Sequence, residues 1–229
     1  MTNTIADFIG FLAFQNLSSD IVKLDTIEKF LKLIRKHTNE KLTILLLGGE
    51  PTTVGAYYLI KIADLAHRYN FRVTMSTNGY YKGTINDCVK YLDAVQVTAH
   101  NKAEIDYWSQ LGDKVNLKIA ADKQLTLDKF EKFIEYTNGK FYRRSITMYF
   151  TPDFKELCED KEMWDMLNTL EWKRNGGYMY AYYKGVRIKR CIHGETNIID
   201  EPTIPKLYPN GNYNKTWCNE DMDSYLGIL

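Results

Sequence analysis

The sequence predicts an α/β protein: an open partial (β/α)6 barrel over residues 1–172, followed by a small C-terminal β-hairpin extension over residues 173–229. Three observations carry this. Apolar runs of strand length alternate six times with segments whose apolar residues recur at helical spacing, the pattern of a parallel sheet with helices outside. The second apolar run, Leu45-Leu46-Leu47, breaks into Gly48-Gly49-Glu50-Pro51, a buried strand emptying into a tight loop that carries one carboxylate. Beyond Trp172 the alternation stops and Tyr-rich segments punctuated by glycine take over. Six units are too few for a closed eight-stranded barrel and too regular for two unrelated domains.

The units follow in order. Phe8–Phe14 is the first strand, and after the polar loop Gln15–Asp20 a helix capped by Asp25-Thr26 carries Ile27, Phe30, Leu31 and Ile34 on one face. Leu42–Leu47 is the second strand, with Tyr58, Ile62, Leu65 and Ala66 lining a helix that ends near Asn70. Phe71–Met75 leads into Ser76-Thr77-Asn78-Gly79, with a helix from about Ile85 to Leu92. Ala94–Thr98 is a strand ending at His100, and Glu104–Leu111 a helix stopped by Gly112. Val115–Ala120 and a helix over Leu127–Tyr136 make the fifth unit, and Ile146–Phe150, Pro152 and a helix over Lys155–Leu170 the sixth. In the tail, Asn175-Gly176-Gly177 is a linker and Tyr178–Ile188 a strand or hairpin. Thr203–Trp217 has the look of an antiparallel hairpin turning at Pro209-Asn210-Gly211.

Composition narrows the function. With 229 residues and 45% hydrophobic content the chain can bury one good core. Thirty Lys and Arg against 29 Asp and Glu leave a net charge of +1, which gives no overall electrostatic case for nucleic acid or an anionic membrane. The start, Met1–Asp7, lacks signal-peptide character, and no apolar run reaches membrane-spanning length, so the expected setting is the cytoplasm. Cys88, Cys158, Cys191 and Cys218 are scattered rather than spaced as a disulfide framework, which suits a reducing compartment. Cys88 and Cys158 are expected as buried or inert thiols.

The loop ends of the strands are where ligands of parallel α/β folds bind, and Gln15, Gly48, Ser76, Thr98, Ala121 and Thr151 lie there by this count. Gly48 and Gly49 let backbone approach a ligand, Pro51 fixes the exit direction, and Glu50 is either a ligand contact or a solvated turn acid. His100 is a ligand contact, a general base or a hydrogen-bonded structural histidine. His37 and His67, near helix C-termini, complement the helix dipole.

Taken together, Gly48-Gly49-Glu50-Pro51 after the second strand, Ser76-Thr77-Asn78-Gly79 after the third, and Val95-Gln96-Val97-Thr98-Ala99-His100 resemble the radical S-adenosylmethionine (SAM) superfamily. The resemblance implies that Glu50 holds the amino group of SAM. Gly48, Gly49, Pro51, Ser76, Asn78, Thr98 and His100 complete the implied cofactor-binding set. The chain departs from the family at its iron–sulfur cluster. Where the family sets Cys-x3-Cys-x2-Cys after the first strand, this chain keeps Asn16-Leu17 and the spacing but has Gln15, Ser19 and Val22. An amide, a hydroxyl and an isopropyl group do not replace thiolates, so an iron–sulfur cluster is not expected. The tail, from Cys191-Ile192-His193-Gly194 through Leu207-Tyr208-Pro209-Asn210-Gly211 to Cys218, is similar to the SPASM and twitch modules of peptide-modifying members, with too few cysteines for their auxiliary cluster. Cys191, His193 and Cys218 fall one ligand short of a tetrahedral zinc site, and packing of the hairpin is the preferred account.

The expected function is therefore that of a radical SAM-like pseudoenzyme whose cluster is lost, binding a SAM- or nucleotide-like small molecule or a peptide or protein partner. One alternative is a SAM-dependent enzyme with an atypical cluster or a non-radical reaction. Another is a structural or inhibitory interaction protein whose Tyr-rich tail is the contact face. The basic run Lys184–Arg190 among Tyr180, Tyr182 and Tyr183 is taken as the solvated face of an amphipathic strand, and nucleic acid is not the expected partner.

Overall fold

A computed structural model of the protein describes residues 8–13, 21–47, 50–121, 125–148, 160–175, 178–191 and 206–207. The fold is α/β with an open, mostly parallel sheet. By contacts the chain divides into two compact units, Met1–Gln96 with Pro202–Leu229, and Val97–Glu201.

In the first unit, β1 (Phe8–Ala13), α1 (Leu24–His37), β2 (Thr43–Leu47), α2 (Ala56–Arg68), β3 (Arg72–Thr77) and α3 (Lys82–Cys88) follow one another. β1 pairs in parallel with β2, and β2 with β3. Alternation along the strands decides which face is covered. Ile44 and Leu46 of β2 and Val73 and Met75 of β3 are buried almost completely, as are Ile27, Phe30, Leu31 and Ile34 of α1 and Ile62, Leu65 and Ala66 of α2. Arg35 ties the two helix ends together. Its guanidinium donates to the carbonyls of Tyr69 (2.7 Å), Asn70 (2.9 Å) and Thr38 (3.2 Å) and lies 3.9 Å from the Phe71 ring centroid. Those carbonyls belong to the residues that leave the two helices, so one side chain bonds the chain just past both helix ends.

β4 (Ala94–Thr98) crosses the boundary between the units. At its start the Asp93 N–H donates to the Val73 carbonyl (2.8 Å), and beyond its end the Ala99 N–H donates to that of Lys118 (3.0 Å). The second unit continues with α4 (Lys102–Ser109), β5 (Val115–Ala121), α5 (Leu127–Thr137), β6 (Arg144–Met148), α6 (Lys161–Thr169), β7 (Lys173–Asn175), β8 (Tyr178–Tyr183) and β9 (Val186–Cys191). Its strand order is β5-β6-β9-β8-β7, with β5-β6 and β6-β9 parallel and the last two pairings antiparallel. The core of this unit gathers Phe130, Ile134, Met163, Met166 and Leu167 from α5 and α6 with Val186 and Ile188 from β9. Truncating Phe130 to Ala would remove about 3–5 kcal/mol of stability.

Several boundaries differ from those the sequence predicts. α1 begins at Leu24 with Lys23 as its cap residue, and Asp25 sits inside the first turn, where its charge favours the helix dipole without capping it. The third helix ends at Cys88 and tightens into a 3₁₀ turn over Val89–Tyr91. The described part of α6 starts at Lys161 because Asp160, extended, accepts from the Glu162 N–H. Asn175 is not a linker residue but pairs with Tyr178, and the β8–β9 hairpin turns on Lys184 and Gly185, both at positive φ, as a two-residue loop requires. Of the expected hairpin over Thr203–Trp217, only β10 (Lys206–Leu207) is described, and it runs parallel to β1. The rest, Pro209-Asn210-Gly211 included, lies outside the described residues, as does Cys158.

Cys88 is buried, and burial pushes its thiol up to about 11, out of the range where thiolate forms. Alkylation of native protein, mapped by peptide mass, is therefore expected to leave Cys88 unmodified and to modify it once denaturant is added. Labelling of Cys88 in the folded protein at the rate of a free thiol would contradict the packing.

Candidate functional site

The carboxyl ends of β2 and β3 are joined through one acidic side chain. Glu50 is 6% exposed, and its carboxylate accepts four hydrogen bonds. Oε1 takes the Thr52 N–H (3.1 Å), the Thr52 hydroxyl (2.5 Å) and the Thr77 hydroxyl (2.6 Å), and Oε2 takes the Asn78 N–H (2.8 Å). Local sequence explains half of this. Pro51 opens a 3₁₀ turn over Pro51–Val54, so Glu50 stands at its N-cap, where a side-chain oxygen meets the unpaired N–H two residues on. Gly55 ends the turn at φ 82°, a conformation that only glycine adopts freely, and passes the chain into α2. The other half is long-range. Thr77 donates to Glu50 and accepts from the Gly79 N–H (3.2 Å), while Asn78 closes its own turn by accepting from the Tyr80 N–H (3.0 Å).

Burying an ionised carboxylate is costly unless each oxygen is bonded, and four donors, two of them hydroxyls of residues 1% and 4% exposed, provide that compensation. Glu50 therefore works first as a latch that fixes the loop after β2 onto the loop after β3. Its Oε2, with one donor, retains capacity for another.

Of the implied cofactor set, Glu50, Pro51 and Asn78 are brought together. Ser76 is not with them. Strand alternation turns Ser76 away from Thr77, onto the face it shares with Thr74. Both are half-buried there, and the Thr74 hydroxyl is buried without a hydrogen-bond partner among the described residues. Thr98 and His100 belong to the second unit, Thr98 half-buried at the end of β4 and His100 exposed, its backbone N–H on Glu104 (2.9 Å). Gly48 and Gly49 lie outside the described residues, as do Gln15, Ser19, Thr151, His193 and Cys218. Val22 is 4% exposed and receives the Tyr58 hydroxyl on its carbonyl. Its buried isopropyl group cannot ligate iron. Cys191 ends β9 opposite Tyr178, and no group of potential metal ligands occurs among the described residues. Nor is any helix among them long and apolar enough to cross a membrane.

Sequence reasoning missed Thr52 and Thr77. The signal for Thr77 was there: it continues the helix-facing series Val73, Met75, and a hydroxyl at such a position needs a buried partner.

No family model matches the chain, and no curated protein matches it. Among solved structures it is similar to anSMEcpe, an anaerobic sulfatase-maturating radical SAM enzyme, in a structure with bound AdoMet and the Cp18Cys peptide: 14% identity, TM-score 0.47, 61% of this chain and 50% of that one. The polyhistidine-tagged form with bound AdoMet matches at 13% identity and TM-score 0.47 over the same shares. The match thus spans about half the length of those chains, and likeness at this level carries no inference about ligands or chemistry.

The latch makes a stability prediction. In urea unfolding, Glu50→Ala should cost about 3 kcal/mol or more, since it strands several buried donors, and Thr77→Val about 1.5–3 kcal/mol. The double variant should show a coupling of about 1–3 kcal/mol. Strictly additive losses would mean that Glu50 and Thr77 do not share a bond.

Proposed function

We propose that the chain is a radical SAM-like protein without a catalytic cluster, a pseudoenzyme made of a partial barrel (1–172) and a twitch-like extension (173–229). It holds a SAM- or nucleotide-sized ligand, or a peptide or protein partner, at the carboxyl ends of β2 and β3. The observation that carries this is the Glu50 latch beside a polar strand face. Two hydrogen bonds from Thr52 and two from Thr77 and Asn78 fix Glu50 and its turn at the end of β3, while Ser76 and the Thr74 hydroxyl, buried without a hydrogen-bond partner among the described residues, stand on the other face of the strand. An orphaned buried hydroxyl fits a ligand that completes its hydrogen bonding.

The residues at the cluster positions do not fit a cluster. Gln15, Ser19 and Val22 include no thiolate, and Val22 is packed away from solvent. SAM bound here would serve as a ligand, and reductive cleavage has no electron source in this donor set. Gly48, Gly49, Ser76 and Asn78 would contact it. Glu50 would position their loops and, through Oε2, accept from its ammonium.

Because Glu50→Ala also loosens the fold, the discriminating variants are Thr74→Val and Ser76→Val, which leave the latch intact. In calorimetric titration of SAM, each should weaken binding about five- to tenfold, one hydrogen bond's worth, with the melting temperature unchanged for Ser76→Val and raised for Thr74→Val, which removes an unsatisfied buried hydroxyl. Absence of heat with SAM, its demethylated product and adenine nucleotides would refute the small-ligand reading. Iron with acid-labile sulfide in anaerobically purified protein would refute the loss of the cluster.

A further inference from the structure

An Asn-Gly pair carries a latent reaction, because the glycine has no side chain to keep its backbone nitrogen from the carbonyl carbon of the asparagine side chain. Asn175-Gly176 and Asn210-Gly211 reach outside the described residues, whereas Asn78-Gly79 and Asn138-Gly139 lie within them. The latter two stand in the same local sequence, Thr77-Asn78-Gly79 and Thr137-Asn138-Gly139, so any difference between them comes from the fold.

At Asn78-Gly79 the reacting groups are held. Gly79 is buried, and its N–H donates to the Thr77 hydroxyl (3.2 Å). The Asn78 side-chain oxygen accepts from the Tyr80 N–H (3.0 Å), and the Asn78 N–H is fixed on Glu50 (2.8 Å). Asn138-Gly139 is the opposite case. α5 ends at Thr137, and Asn138 leaves the helix with its N–H on the Glu135 carbonyl (3.2 Å). Gly139 follows at φ 73°, and the Lys140 N–H closes the turn on the Thr137 carbonyl (3.2 Å). Asn138 and Gly139 are both exposed, and beyond the chain neighbours no atom lies within 4 Å of where a Cβ on Gly139 would stand. Among the described residues neither the Asn138 side chain nor the Gly139 N–H has a hydrogen bond.

We propose that Asn138 is a site of spontaneous deamidation, a covalent change that the fold permits there and hinders at Asn78. The Gly139 nitrogen attacks Asn138 Cγ and forms an N–Cγ bond. The Cγ–Nδ2 bond breaks, and the Gly139 amide proton leaves with the side-chain nitrogen as ammonia. Water then opens the five-membered imide at either carbonyl, giving aspartate or isoaspartate without oxidant, metal or enzyme. Closure eclipses the nitrogen with Cβ at an Asn138 ψ of about −120°. The resting value is 129°, and an exposed turn with glycine at its next position can absorb the rotation. Either product adds one carboxylate and takes the formal net charge from +1 to 0. That charge lands at the C-terminal end of α5, where the helix dipole disfavours it. Two residues on, Lys140 reaches Asp106 of α4 (2.5 Å) and lies 3.7 Å from the Tyr136 ring centroid, so the change arises beside a link between α4 and α5.

The test ages the intact chain in warm, mildly alkaline buffer and follows the tryptic peptides 133–140 and 73–82 by mass spectrometry. Asn138 should convert first, with isoaspartate among its products, and Asn78 about 30-fold more slowly, two hydrogen bonds' worth. In urea-denatured chain, where neither pair is held, the two rates should match. Equal rates in the folded protein, or an Asn138 that stays intact while the denatured chain converts, would overturn the proposal. No ligand enters the experiment, so failure here leaves the reading of the first unit standing.

Discussion

A carboxylate taken out of water has to be bonded on nearly every side, and in this chain that requirement joins two loops distant in sequence. Glu50 is tied to its own 3₁₀ turn by Thr52 and to β3 by Thr77 and Asn78. Much follows from this geometry. The turn sets where α2 begins, through Gly55, and α2 contributes Leu59, Ile62, Ala63 and Ala66 to the buried layer of the first unit. Because the bond uses Thr77, on the helix side of β3, the opposite face keeps Thr74 and Ser76 clear of it.

Strand alternation is what made much of this legible in the sequence. Helices cover one face of each strand, so Ile44 and Leu46, Val73 and Met75, and Val95 and Val97 are both apolar and buried, and the apolar residues expected to line α1 and most of those for α2 are buried with them. Tyr58 is the exception on α2. It is half-buried because its hydroxyl reaches the Val22 carbonyl. Helix ends were harder to read, since a cap depends on side-chain direction rather than residue type. Asp25 looks like a cap and is a first-turn acid, whereas Asp160 is a cap that the apolar pattern did not mark.

The tail was the least legible part, for a different reason. A hairpin can be read from local turn chemistry, and Lys184-Gly185 supplies it, but the strand that a hairpin joins is decided by contacts far along the chain. β9 lies parallel to β6 and brings Val186 and Ile188 onto the α5–α6 core. Their burial fixes the register, and with a side-chain period of two the same register fixes Arg187 and Lys189 on the other face. Arg187 and Lys189 thus take their position from apolar packing, though not their identity. Packing needs every second residue of β9 to be apolar and leaves the identity of the intervening ones open.

The same distinction separates motif retention from ligand binding at the first unit. Glu50 and Thr77 have a folding reason to persist, because each satisfies the other in a site closed to water, and a protein that bound nothing would still need them. Their presence is therefore by itself no sign of a bound cofactor. Thr74 has no such reason: a valine there would fill nearly the same volume without leaving a buried hydroxyl unsatisfied. A polar residue that costs the fold stability and gains no partner among the described residues is the stronger sign of a ligand, and it places the functional question on the face of β3 that carries Thr74 and Ser76 rather than on the loop motif.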